Sequence, residues 1–117
     1  MNKPLGPYVR AYRAGDFLIV SGQTGTGPDG LVAGGLEAEC RQVFANLREV
    51  LAANGASLDD VAKTTVFLTD MNDFAAMNAI YAEEFGDHRP ARSTIGVAAL
   101  PLGARIEIEA WAYVGDK

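Results

Sequence analysis

Pro90-Ala91-Arg92-Ser93-Thr94-Ile95 and, after a turn, Arg105-Ile106-Glu107-Ile108-Glu109-Ala110-Trp111 are the stretches whose reading decides the fold. Both alternate with the period of two that a β-strand imposes on its side chains. In the first, Ser93, Ile95 and Val97 share one side, and Arg92, Thr94 and Gly96 share the other. In the second, Ile106, Ile108, Ala110 and Ala112 oppose Glu107, Glu109, Trp111 and Tyr113. The aliphatic sides, that of Ile95 included, are expected to face the core. The other sides then set a guanidinium, a hydroxyl and two carboxylates beside large aromatics on rigid backbone, as a binding or catalytic constellation requires. A half-exposed antiparallel strand also alternates Ile with Glu, and Arg92 on such a strand is a solvated charge. Spacing alone does not choose between these readings.

Working back from this pair, Leu100-Pro101-Leu102-Gly103 is the turn that joins its strands, and Gly86 to Arg89 leads into the first of them. Upstream, a helix fits Asn72 to Phe85, capped by Asp70 and carrying Phe74, Met77, Tyr81 and Phe85 on one face. Asn78 is the polar residue inside that helix with no local reason to be there; an exposed amide is its plain alternative. The β-rich run Lys63 to Thr69 precedes it, and Ala56 to Asp60 is a connector. A longer helix fits Leu36 to Asn54, with Leu36, Cys40, Val43, Phe44, Leu47, Val50 and Leu51 in one stripe and Gly55 as its stop. Cys40 lies on that stripe and reads as a small core residue. Before it, Gly25 to Gly30 is a loop; it is glycine-rich without the Lys-Ser/Thr of a phosphate loop. Phe17 to Val20 is a buried strand ending in Ser21-Gly22-Gln23, and Tyr8 to Tyr12 reads as a first strand, closed by the turn at Arg13 to Asp16.

The order is α+β, with two helices among the strands of one domain spanning residues 1–117. Two helices cover one face of such a sheet. The opposite face then carries Trp111, Tyr113 and Phe67, which is unusually apolar for a monomer. Copies of the chain are therefore expected to pack these faces together, with clefts between subunits and Arg92 and Glu107 at hand.

Bulk composition narrows the function. The 117 residues are 49% hydrophobic and 21% charged, ordinary for a globular domain, with no membrane-spanning run and no apolar signal core at the N-terminus. A cytoplasmic protein is expected. The net charge of −5 and ten scattered basic residues argue against a nucleic-acid surface. With one cysteine and one histidine, Cys40 and His88, neither a disulfide framework nor a zinc-type ligand set is available.

Taken together, Gly6-Pro7-Tyr8, Val20-Ser21-Gly22-Gln23, Lys63 to Asp70, Asn72-Asp73-Phe74, Pro90-Ala91-Arg92-Ser93 and Ile106 to Ala110 resemble the RidA/YjgF family of reactive enamine/imine deaminases. The resemblance runs through nearly the whole chain in order. It implies a chorismate-mutase-like α+β fold, a mixed β-sheet with two helices on one face, and a homotrimer with active sites between subunits. It further implies that Arg92 holds a substrate carboxylate, that Glu107 positions or activates the hydrolytic water, and that Tyr8, Ser21, Gly22, Asn78 and Thr94 line the same cleft. Thr94 stands where relatives often carry cysteine. Gly96 stands where many carry glutamate, and the loop after Gln23 lacks the usual Ile-Pro; both changes are expected to widen or reshape the cleft.

The implied reaction is hydrolysis of a 2-enamine or 2-imine carboxylate, such as 2-aminoacrylate, to a 2-keto acid and ammonia, without metal or organic cofactor. Its partners are a small 2-imino or 2-keto acid and further copies of the chain, with no nucleic acid and no membrane. Alternatives are a pathway deaminase acting on a larger enamine such as 2-aminomuconate, and a non-catalytic trimer that binds small carboxylates. Glu107 separates the last from an enzyme, because a carboxylate binder needs no acid aimed at water. The endoribonuclease or translation-inhibitor label carried by some family members fits poorly with the acidic charge.

Overall fold

The apolar stripe of the longer helix places it. In this computed structural model, which describes residues 4–116, helix α1 (Gly35–Ala53) buries Cys40, Val43, Phe44, Leu47 and Leu51 completely. Gly55 ends it with φ 75°, a conformation that a side chain would disfavour. Strands β1 (Ala11–Ala14), β2 (Phe17–Thr24) and the small hairpin β3–β4 (Thr26–Gly27, Gly30–Leu31) come before it. Strand β5 (Val61–Leu68), helix α2 (Phe74–Phe85), and strands β6 (Ala91–Gly96) and β7 (Ile106–Tyr113) follow. A short 3-10 turn, Met71–Asp73, opens α2, with the Asp70 carboxylate accepting from the Asn72 N–H at 2.9 Å. The first strand begins later than the sequence suggests, at Ala11, so Tyr8 lies in the segment leading into it.

The five main strands form one mixed sheet in the order β1-β2-β7-β5-β6. The closing strand β7 is central and antiparallel to both neighbours; β5 and β6 are parallel, as a connection through a helix allows. One sheet face carries Leu18, Val20, Val66, Ile106, Ile108 and Ala110 into a core shared with both helices. Phe44 of α1 is the knot between them, in edge-on contact with Tyr81 and Phe85 of α2 at centroid distances of 5.7 and 5.4 Å. Such pairs contribute about 0.5–1.5 kcal/mol each beyond simple burial.

Among the described residues, the other face carries no helix. Phe17, Trp111 and Tyr113 form an edge-on aromatic cluster there, and Trp111 is 42% exposed. Phe67 pairs with Glu107 and Ile95 in register, so all three share this open face.

That register corrects one expectation. Ile95, read as a core residue, is exposed on the open face, whereas Arg92 and Thr94 turn toward the helices. Arg92 pairs with Thr64, which pairs with Ala110, and both of these are fully buried. The alternation within β6 holds, but its sense is reversed. As an edge strand, β6 packs under α2 only along its rim, where Tyr81 and Phe74 cover a guanidinium better than they would fill against Ile95.

Candidate active site

Two clusters of the sequence-identified residues form, on opposite sides of the sheet. The first lies between β6 and α2. The Arg92 guanidinium stands over the Tyr81 ring at 4.8 Å and near the Phe74 ring at 5.7 Å, in cation–π geometry. Its remaining contact is a long one, 3.9 Å to the Met77 sulfur. Among the described residues no carboxylate pairs with it, so a half-buried cation is left without a counter-charge. Asn78 is on the same turns of α2 as Phe74 and Tyr81, at i+4 and i−3, and Thr94 follows Arg92 on the same face of β6. The Asn78 Oδ1 and Thr94 Oγ1 atoms are buried without a hydrogen-bond partner. Buried polar atoms left unpaired cost about 1–3 kcal/mol each, and two of them stand on the elements that carry the guanidinium and its aromatic cover.

The second cluster lies where β2 meets β7. Their register slips between Val20 and Gln23, a bulge that contains Ser21 and Gly22. The bulge presses the Gly22 backbone against the Glu107 side chain so closely that a Cβ there would collide with the carboxylate. Burial, reinforced by the charge of Glu109 two residues on, raises the Glu107 carboxyl above the usual glutamate range. Gly22, Glu107 and Tyr8 line one cleft of about 270 Å³, with Arg10 and Gln23 beside them and Leu102 at its edge. Ser21 acts as a tether: its hydroxyl donates to the Val9 carbonyl at 2.6 Å and its N–H to the Arg10 carbonyl at 2.9 Å, fixing the segment that carries Tyr8.

Sequence reasoning missed the supports of this second cluster. Asn46, buried in α1, donates through Nδ2 to the Thr24 and Thr26 carbonyls at 3.1 and 2.9 Å, and its Oδ1 accepts from Gln42. Thr24 stands opposite Glu107 in register. Glu39, also buried, accepts from the Arg105 N–H at 2.8 Å where the chain enters β7. A lone amide at i+3 from Val43 and i−4 from Val50, inside an apolar stripe, was the available signal for Asn46.

Two further expectations are settled by packing. Burial pushes the Cys40 thiol up to about 12, so it stays a protonated core group. Gly96 opens no additional space, because the Met71 side chain occupies it, with Cγ 3.2 Å from where a Cβ would sit. Among the described residues, no three of His, Cys, Asp or Glu converge in a metal-binding group, and no helix is long and apolar enough to cross a membrane.

The chain's relatives share this architecture. Residues 1–114 match the family model described as Endoribonuclease L-PSP. A RutC family protein of Pyrococcus horikoshii is 50% identical over 113 residues, covering 95% of this chain and 90% of the relative. The human 2-iminobutanoate/2-iminopropanoate deaminase is 45% identical over 113 residues, covering 95% and 82%. The crystal structure of RidA from an Antarctic Psychrobacter superposes with a TM-score of 0.91 at 38% identity, covering 96% of this chain and 92% of that one. By its sequence match and its fold, the chain belongs to the RidA/YjgF family, the Endoribonuclease L-PSP group.

Proposed function

We propose that the protein hydrolyses 2-imino and 2-enamino carboxylates, 2-aminoacrylate among them, to 2-keto acids and ammonia. The observation that carries this reading is the free Arg92 guanidinium, held against two aromatic rings and flanked by the unpaired oxygens of Asn78 and Thr94. A planar fork of donors suits a carboxylate, and the two acceptors suit the N–H groups of an imine or enamine. Relatives about 45% identical that are named 2-iminobutanoate/2-iminopropanoate deaminase support the same chemistry.

Arg92 anchors the carboxylate. Protonation of an enamine at carbon gives the more electrophilic imine. Water, oriented by the Tyr8 hydroxyl and deprotonated by Glu107, adds to the imine carbon. Glu107 returns that proton to the nitrogen, and the new hydroxyl gives up its own proton as the C–N bond breaks, leaving the 2-keto acid and ammonia. A carboxylate whose pKa is raised by burial accepts a proton more readily near neutrality than an ordinary one. Imines hydrolyse unaided, so the gain comes from orientation and placed charge.

Within one chain Arg92 and Glu107 serve opposite faces of the sheet, and neither cluster alone holds the full set. The reading therefore includes assembly: copies pack through the open face bearing Phe17, Trp111 and Tyr113, and each cleft takes Arg92, Asn78 and Thr94 from one subunit and Tyr8, Ser21, Gly22 and Glu107 from its neighbour. Three copies are the number the family resemblance implies.

The test adds the purified protein to a serine or threonine dehydratase and follows keto-acid release. Acceleration by the native protein and none by Arg92→Ala is the expected result. An unaltered rate with native protein that is fully assembled overturns the deaminase and leaves a carboxylate-binding role.

A further inference from the structure

The cleft that holds Glu107 contains a second guanidinium that hydrolysis of a simple imine does not use. Arg10 lines it together with Tyr8, Gly22 and Glu107. Its side chain is 13% exposed, and its partners are the neutral Gln23 Oε1 at 2.7 Å and, in an ion pair at the rim, the half-exposed Glu49 carboxylate at 3.4 Å. Gln23 is in turn fixed by donating Nε2 to the Ser21 carbonyl at 3.0 Å, and Ser21 belongs to the bulge that sets Gly22 against Glu107. The same short network thus fixes both the water-activating carboxylate and the cation near it. A guanidinium presents five donors, and two are engaged among the described residues. The cleft, at about 270 Å³, holds far more than one attacking water.

We propose that Arg10 is a specificity-determining residue that binds a second, distal acidic group, so that the preferred substrates are 2-imino dicarboxylates. This rests on the deaminase reading above. The first carboxylate goes to Arg92 of one subunit, the imine carbon lies at Glu107 of its neighbour, and the side-chain carboxylate reaches Arg10 in that neighbour's cleft. A cation in a half-enclosed wall discriminates by leaving its donors poorly compensated when the substrate ends in a methyl group. It also draws a dianion into a protein whose net charge is −5 and whose bulk field repels anions. The supply for such a site is a two-electron oxidation of an acidic amino acid by a flavin- or nicotinamide-type acceptor, or β-elimination of water from a β-hydroxylated acidic amino acid, either of which releases the imine or its enamine.

The experiment generates imines in place with an amino-acid oxidase, from glutamate or from 2-aminobutyrate, and traps the survivors as semicarbazones. The readout is the ratio of hydrolysis rates, acidic over aliphatic, for native protein, Arg10→Gln and Arg10→Lys. A ratio that falls tenfold or more in Arg10→Gln and is partly restored in Arg10→Lys supports the assignment, since lysine keeps the charge and loses the fork. A ratio unchanged within twofold overturns it, as does an equal loss on both substrates. Binding to the native protein gives an arm independent of variant folding: glutarate is expected to bind at least tenfold more tightly than butyrate by calorimetry, and equal affinity overturns the proposal. Native protein that hydrolyses neither imine sinks the deaminase reading. Aliphatic hydrolysis with equal glutarate and butyrate affinity sinks the role of Arg10 alone.

Discussion

Gly22 and Glu107 are in contact across the β2–β7 bulge so closely that the residue at 22 determines where the carboxylate points. A Cβ on Gly22 would fall 2.8 Å from Glu107 Cδ and 3.1 Å from Cγ. The obstacle is the end of a flexible side chain, so Gly22→Ala is expected to displace the carboxylate rather than break the fold. Misplacing a catalytic group by about 1 Å costs on the order of 100-fold in rate. The variant is therefore expected to lose turnover by roughly that factor while its Tm stays within a few degrees of native. A large drop in Tm with unchanged kcat per folded molecule contradicts this.

Glu107 is expected to make opposing contributions to stability and to activity. Burial, then the Glu109 charge, raises its pKa, so the folded chain holds this proton more tightly than the unfolded one. Its stabilising effect is full below the ordinary glutamate value of about 4.3 and is lost as pH rises through the raised value. Glu107→Gln is expected to raise Tm over native at pH 7.5, to give no gain at pH 4, and to abolish hydrolysis. Thermal melts at the two pH values decide it; an equal shift at both pH values removes the linkage.

The helices, the main strands and the aromatic open face were legible because each follows from a period that the sequence prints: 3.6 for Leu36 to Leu51, two for Ile106 to Tyr113. The sense of β6 was not. Period two fixes which residues share a side and leaves open which side faces inward, and with one Ile against Arg and Thr the usual rule favoured Ile95. The rims of Tyr81 and Phe74, distant in sequence, reverse it through the Arg92 contact. Nor does parity within two strands say whether their polar sides share a face. The alternation sets Arg92 and Glu107 on the non-aliphatic sides of their strands, and the β5 register puts those two sides on opposite faces of the sheet.

The Arg92 fork is testable apart from catalysis. Truncating one member of a desolvated charge pair costs roughly 2–5 kcal/mol of binding. Arg92→Ala is expected to lose that much affinity for 2-ketobutyrate, measured by calorimetry, and Arg92→Lys to recover only a minor part, because an ammonium cannot match both the carboxylate fork and the Tyr81 stack. Full recovery in the lysine variant would show that charge alone suffices.

Asn46 is expected to matter for stability first. Asn46→Ala leaves the Thr24 and Thr26 carbonyls without their buried donor, at a cost of about 1–3 kcal/mol. Urea unfolding should show a lower midpoint with an unchanged slope. Since Thr24 faces Glu107, kcat is expected to fall more than KM rises.

The separation of Arg92 and Glu107 within one chain leads to a mixing experiment. Arg92→Ala and Glu107→Gln subunits are each expected to be inactive as pure assemblies. If each cleft draws Arg92 from one subunit and Glu107 from the next, a mixed assembly contains clefts in which both residues are native. In a random mixture of trimers roughly three in four are mixed and each of those has one intact cleft of three, so about a quarter of native activity returns. Unfolding and refolding the two variants together, then assaying hydrolysis against each refolded alone, measures that fraction. Recovery near a quarter fits three clefts shared in a ring. No recovery from a mixture confirmed by native mass spectrometry means that both residues serve the same chain's site, and the two-subunit cleft fails.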